Sequence, residues 1–260
     1  MPKRLKALTC EVLARPVYHA AAHSPHVVDV ELLRKGLHNT PDDLRAALQA
    51  RIDAAAGENF DAILLAYGLC GQAIEGLRAR RVPLVVPRAH DCITLHLGSR
   101  ARYTEEFNAN PGTYWFTLDY LERADSDEGM VILGSSSTSL GMQETYEEYV
   151  EKYGKENADY LMDVMKAWHA HYNRAVFIDI GIGDQTEAAA EAHRFAAERG
   201  WRFDRMRGND ILIRRLLHGD WGGDFLVVPP GEVVVHRVDE SILASAPPEL
   251  PKTEESEQPT

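Results

Sequence analysis

The chain has 260 residues, a formal net charge of −12 and 45 % apolar residues. That length makes one large domain or two small ones with a substantial core, and the acidic balance argues against a general nucleic-acid binder, which carries a basic face. No apolar run approaches the roughly 18–20 residues that span a membrane. The N-terminal stretch is interrupted at Glu11, Arg15 and Pro16 and ends in no small-residue cleavage site, so it does not read as a signal peptide and the expected location is cytoplasmic.

In chain order, residues 3–9 read as a first strand, closed by Cys10, and 27–33 as a second strand or short mixed segment. Residues 11–22 could open a helix but meet Pro16 early. Thr40-Pro41-Asp42-Asp43 is a helix start: a capping hydroxyl, proline at the first position, acids in the first turn. The helix 41–56 follows, with apolar residues at helical spacing and Gly57 as its stop. Two short apolar runs, 62–66 and 83–86, have the length and continuity of buried parallel strands. Between them a helix is expected near 72–79. This β-α-β-α-β order predicts a parallel sheet with crossover helices. Helices at 92–97 and 100–108, an Asn110-Pro111-Gly112 turn and an aromatic strand at 113–117 come next.

Residues 131–133 read as a short strand, 134–139 as a small-residue run, and 142–170 as one or two long helices with aromatic stripes. A second β-α-β-α-β pass is expected from strands at 175–180, 201–206 and 225–228 and helices at 185–199 and 210–217. The fold class is therefore α/β, with Rossmann-like parallel sheets in two α/β lobes, 1–125 and 126–245. Residues 246–260, rich in Pro, Glu, Ser and Thr, are expected to be a disordered tail.

The chemistry concentrates at strand ends. Tyr67-Gly68-Leu69-Cys70 follows one buried run and Arg88-Ala89-His90-Asp91-Cys92 the next. Ligands in open α/β sheets sit outside the carboxyl ends of the strands. Three cysteines are too few and too odd for a disulfide framework, yet all three close consecutive strands. Any one alone reads as a small buried hydrophobe.

The stretches LTCEVL, KGLHNTPDDL, LLAYGLCG, PRAHDCITLHLGS and PGTYW, with KYGKENADYLM and FLVVPPGE further on, resemble the DUF1638 family, a domain of unknown function, over about residues 5–235. The resemblance implies a functional neighbourhood in anaerobes and methanogens, near corrinoid-dependent methyl-transfer systems. It assigns no catalytic residue.

The leading reading is a metal centre, since thiolates and imidazoles suit zinc or iron. Cys10, Cys70 and Cys92 with one histidine, His90 or His38, complete a tetrahedral zinc site; with water or substrate in the fourth place the site is catalytic. His90 and Cys92 face one side on an extended segment and diverge by about 200° on a helix. Three cysteines also suit a [4Fe–4S] cluster with one open iron. Asp91 is a candidate base or orienter of a histidine, or simply a helix cap. Tyr67, Arg88 and His38 complete the catalytic candidates, Arg88 as a carboxylate or phosphate binder. His19, His23 and His26 read as exposed loop histidines. Gly181-x-Gly183 lacks the third glycine of a dinucleotide loop, and Ser137 and Ser139 lack a nucleophile-elbow context. The expected function is a metal-dependent enzyme acting on a small polar molecule in one-carbon, methyl or sulfur metabolism. The alternatives are a metal- or corrinoid-handling accessory protein for a methyltransferase, and a redox-sensing thiol protein.

Overall fold

The structure is a computed structural model that describes residues 1–70, 72–123, 155 and 172–248. The expected strand at 131–133, the 134–139 run, the helices of 142–170 and the tail from 249 lie outside those residues.

Among the described residues five strands form the main sheet: β1 (Arg4–Cys10), β2 (Val27–Leu33), β3 (Ala62–Ala66), β4 (Leu84–Pro87) and β8 (Phe225–Val228), in the order β2-β1-β3-β4-β8. The first four are parallel, and β8 runs antiparallel to β4. Every residue of β3 and β4 is buried, as continuous apolar strands covered on both faces should be. β2 lies at the edge and is half exposed. Its acids pair across the ladder with basic residues of β1, Asp29 with Arg4 and Glu31 with Lys6, both at 2.8 Å.

Helix α1 (Ala14–Ala22) links β1 to β2, and α2 (Pro41–Ala55) links β2 to β3. α1 tolerates Pro16 because that position is still in the first turn, where an N–H has no helical partner. α2 opens on Pro41, Asp42 and Asp43 and buries Leu44, Leu48, Ile52 and Ala55. Thr40 does not cap it; the Thr40 hydroxyl donates instead to the Leu37 carbonyl at 3.4 Å. After β4 come α3 (Cys92–Leu97) and α4 (Arg100–Ala109).

A second, fully parallel sheet holds β5 (Thr113–Phe116), β6 (Arg174–Asp179) and β7 (Arg202–Arg207), in that order. Its core is aromatic. The Phe195 ring, on α6 (Thr186–Glu198), lies 5.3 Å from Tyr114 and 5.1 Å from Phe116. Short helix α5 (Leu118–Glu122) is tied to α1 by Arg15, which donates its backbone N–H and its guanidinium to buried Asp119. Helix α7 (Ile211–Leu217) packs against α1 and reaches β3 and β4.

The mixed α/β class with parallel sheets is as the sequence predicts. The chain does not stay within a lobe on either side of residue 125: β5 joins the sheet of β6 and β7, and β8 returns to the sheet of β1–β4. The expected helix at 72–79 is a run of turns, because Gln72 and Gly76 both hold left-handed backbone, at φ 70° and 80°. A hairpin the sequence reading omitted, β9 (Val233–His236) with β10 (Leu243–Ala246), packs there; Gly76 N–H donates to the Val234 carbonyl at 2.8 Å.

His96 of α3 is 1 % exposed, and neither ring nitrogen has a hydrogen-bond partner among the described residues. Burial pushes its pKa down to about 4, with the nearby Val12 backbone working the other way. Folded His96 therefore refuses a proton that the unfolded chain accepts near pH 6.5. Its contribution to stability is full above pH 6.5 and is lost as the pH falls toward 4. The expected loss is about 3 kcal/mol, from about 2.5 pK units at 1.36 kcal/mol each. Urea midpoints measured from pH 7 to 4 should fall less steeply in His96→Leu than in wild type.

Candidate functional site

The order β2-β1-β3-β4 reverses direction between β1 and β3, and such a switch point opens a crevice at the carboxyl ends of the two strands. β1 ends there in Cys10, where the chain turns into the short helix Glu11–Leu13. β3 ends in Ala66 and passes to Tyr67, Gly68 and Cys70. Beyond the strands the two loops stay zipped: Leu69 N–H donates to the Ala89 carbonyl at 2.8 Å and Cys70 N–H to the His90 carbonyl at 3.1 Å. Only glycine fits at position 68, since a Cβ would lie 2.5 Å from the Asp91 Cα. Cys70 itself sits at φ 45°, left-handed backbone that a residue with a side chain rarely adopts. Strain of this kind, of order 1–3 kcal/mol, concentrates at functional sites.

Cys92 is the first residue of α3. Asp91 caps that helix, accepting from Ile93 N–H at 2.9 Å and Thr94 N–H at 3.3 Å, while its other oxygen accepts from the Tyr103 hydroxyl at 2.7 Å. His38 comes from the turn Leu37–Asn39 after β2, which Gly36 opens in left-handed conformation.

These elements enclose a cavity of about 20 Å³, roughly the room of one water molecule. Cys10, Cys70, Cys92, His38, Tyr67 and Asp91 all line it, as do Lys35 and Tyr120. His38 Nε2 and the Tyr67 hydroxyl are buried without a hydrogen-bond partner among the described residues. Buried polar atoms are nearly always satisfied, so two orphans on one cavity call for an occupant. Among the described residues no three His, Cys, Asp or Glu side chains stand, as placed, close enough to hold a metal ion. The three thiols share the cavity wall without closing on one point.

Burial pushes the Cys10 thiol up to about 11, although the Val12 N–H and the cations of Lys35 and Arg123 work to lower it. Burial drives Cys70 higher still, with Cys10 and Asp91 adding to the rise and the Gly68 backbone opposing it. Left alone, both stay protonated at neutral pH. A cation in the cavity would reverse this, because a coordinated thiol loses its proton. Burial, and then the charge of Lys35, pushes His38 down to about 4, so its imidazole is neutral and able to ligate. Tyr67 is raised well above its ordinary range, chiefly by burial, and stays a phenol.

Two sequence candidates lie elsewhere. His90 is exposed and faces a separate cleft, its ring 6.4 Å from Tyr103. The turn into α3 at Asp91 sends His90 and Cys92 to opposite sides, so His38 is the histidine on the cavity. Arg88 donates to the carbonyls of Ser241 and Leu243 and holds down the β9–β10 hairpin; it does not line the cavity. Asp91 has its carboxylate committed to the helix cap and to Tyr103, which fits the capping reading. Lys35 is a site residue that sequence reasoning missed. Its ammonium lies 4.7 Å over the Tyr120 ring, and a lysine directly after an exposed arginine at a strand end carries no sequence signal of burial.

The fold and the cavity define a doubly wound α/β protein with a thiol-lined pocket at its switch point. The chain belongs to the family described as protein of unknown function (DUF1638), whose profile matches residues 32–217. That match takes in His38, Cys70 and Cys92 and leaves Cys10 outside. No curated protein and no solved structure matches the chain. Among the described residues no helix is long and apolar enough to cross a membrane.

Proposed function

We propose that this protein is a cytoplasmic metal-dependent enzyme, a transferase, lyase or hydrolase, acting on a small polar molecule in one-carbon, methyl or sulfur metabolism. Cys10, Cys70 and Cys92 hold a single ion, zinc before iron, with His38 in the fourth place. The observation that carries this reading is the meeting of three thiols from three adjacent strand ends with an orphaned imidazole nitrogen on one cavity at the switch point. The orphaned His38 nitrogen beside the three thiols favours one ion over a [4Fe–4S] cluster, which usually sits on Cys thiolates alone.

Bound there, zinc would supply Lewis acidity to a thiol, water or substrate heteroatom. The chain's own residues do the rest. The Val12 N–H and the Gly68 backbone support the sulfurs of Cys10 and Cys70, as outer-shell donors do in thiolate sites. Three thiolates and a divalent ion leave one negative charge, and buried Lys35 offsets it. Tyr67 holds a proton at its hydroxyl on the cavity wall. Delivery of a metal or corrinoid to a methyltransferase is the second reading, drawn from the family's neighbourhood; a recessed cavity rather than a flat surface favours the enzyme.

Elemental analysis of protein purified without oxygen, beside Cys70→Ser, tests the proposal. One equivalent of zinc or iron that disappears in the variant supports it, and metal-free wild type sinks it.

A further inference from the structure

Asp91 and Tyr103 form a wall with a second space behind it. There, between α3, α4, the first turn of α7 and the β9–β10 hairpin, lies a cleft of about 770 Å³, within the range of small-molecule sites. His90 opens onto it from one side of Asp91, while Cys92 faces the thiol cavity from the other. Thr94 is one of the residues lining the cleft; it is 1 % exposed and its hydroxyl has no partner among the described residues. A buried hydroxyl without a partner beside a cleft calls for one.

The charges of the cleft are unevenly matched. Arg215 is taken by Asp220 at 2.9 Å and Asp224 at 2.6 Å. Arg100 lies 3.6 Å from Asp224 and donates to the Glu240 carbonyl at 3.0 Å. Glu105, Asp239 and Glu240 also line the cleft, and among the described residues none of them forms an ion pair with a Lys, Arg or His. Asp239 accepts from the Ser241 N–H at 2.8 Å and is partly spent on that turn. Glu105, on α4, and Glu240, on the hairpin loop, are the uncommitted carboxylates. Tyr103 adds an aromatic ring, of the kind that attracts organic cations.

We propose that this cleft binds a small amine-bearing organic cation, its ammonium between Glu105 and Glu240 against Tyr103, and its polar end on Thr94 and His90. The site stands on geometry independent of the thiol cavity, so it survives failure of the metal reading.

The test is calorimetric titration of the full chain with 1,4-diaminobutane, and with succinate and 1,4-butanediol as anionic and neutral matches. The diamine should bind at least ten-fold more tightly than either. Glu105→Gln/Glu240→Gln, at two exposed positions, should weaken it at least ten-fold with unchanged circular dichroism and metal content. Thr94→Val should weaken an amino alcohol of the same length more than the diamine. Equal or tighter binding of succinate or butanediol overturns the proposal. So does no diamine binding at millimolar concentration, or diamine binding that the double variant leaves unchanged.

Discussion

Gly68→Ala is expected to destabilise the protein by about 3 kcal/mol or more. The added methyl carbon would stand 2.5 Å from the Asp91 Cα, 2.6 Å from its N and 2.7 Å from its carbonyl carbon. All three are backbone atoms, so no side chain can swing aside. Relief requires parting the loops that follow β3 and β4, which breaks the Leu69–Ala89 and Cys70–His90 hydrogen bonds. Those loops carry Cys70 and Cys92, so the same change should also pull the thiols apart. Against a typical total stability of about 5–15 kcal/mol, the loss is large and should appear as a lowered urea midpoint. An alanine variant as stable as wild type would mean that the loops do not approach as described.

The second large effect separates the two histidines. His38→Ala should lower metal affinity at least about 100-fold, and His90→Ala should leave it within about two-fold. The magnitude follows from structural zinc sites, where about 10–16 kcal/mol is shared by four ligands. Loss of one ligand then costs about 3 kcal/mol, or about 100-fold. Competition with a chromophoric chelator reads both variants on one scale. His90 has its place in the neighbouring cleft, so its replacement should instead alter binding there. An effect of His90→Ala equal to that of His38→Ala would contradict the assignment.

The sequence is most explicit where one rule decides a segment. The all-apolar runs Ala62–Ala66 and Phe225–Val228 are strands with the expected bounds; the first is buried throughout and the second at three of its four residues, with Val227 facing out. The helix opened by Pro41 and its acids begins where it should. Partnership between strands is less legible. Phe225–Val228 carries no mark telling it to cross back and pair antiparallel with β4, since a buried strand looks apolar in either direction. The turns at 72–76 mislead because Gln72 takes a left-handed conformation that its type disfavours. In the site, the positions of Cys10, Cys70 and Cys92 at strand ends follow from run lengths alone. The choice between His38 and His90 does not. It depends on the dihedral angles at Asp91 (φ −155°, ψ 178°), which turn the chain into α3 and leave His90 behind. Arg88 beside a strand end reads as a ligand binder, and only the hairpin contributed from over a hundred and fifty residues later shows its carbonyl partners.

The metal-to-protein ratio of the full chain, purified without oxygen, bears most directly on the centre proposed here. One zinc or iron per chain is expected in wild type, with none in Cys10→Ser, Cys70→Ser or Cys92→Ser while circular dichroism shows each variant folded. Wild type without metal, four irons per chain, or one metal retained by all three serine variants would contradict a mononuclear site on these thiols.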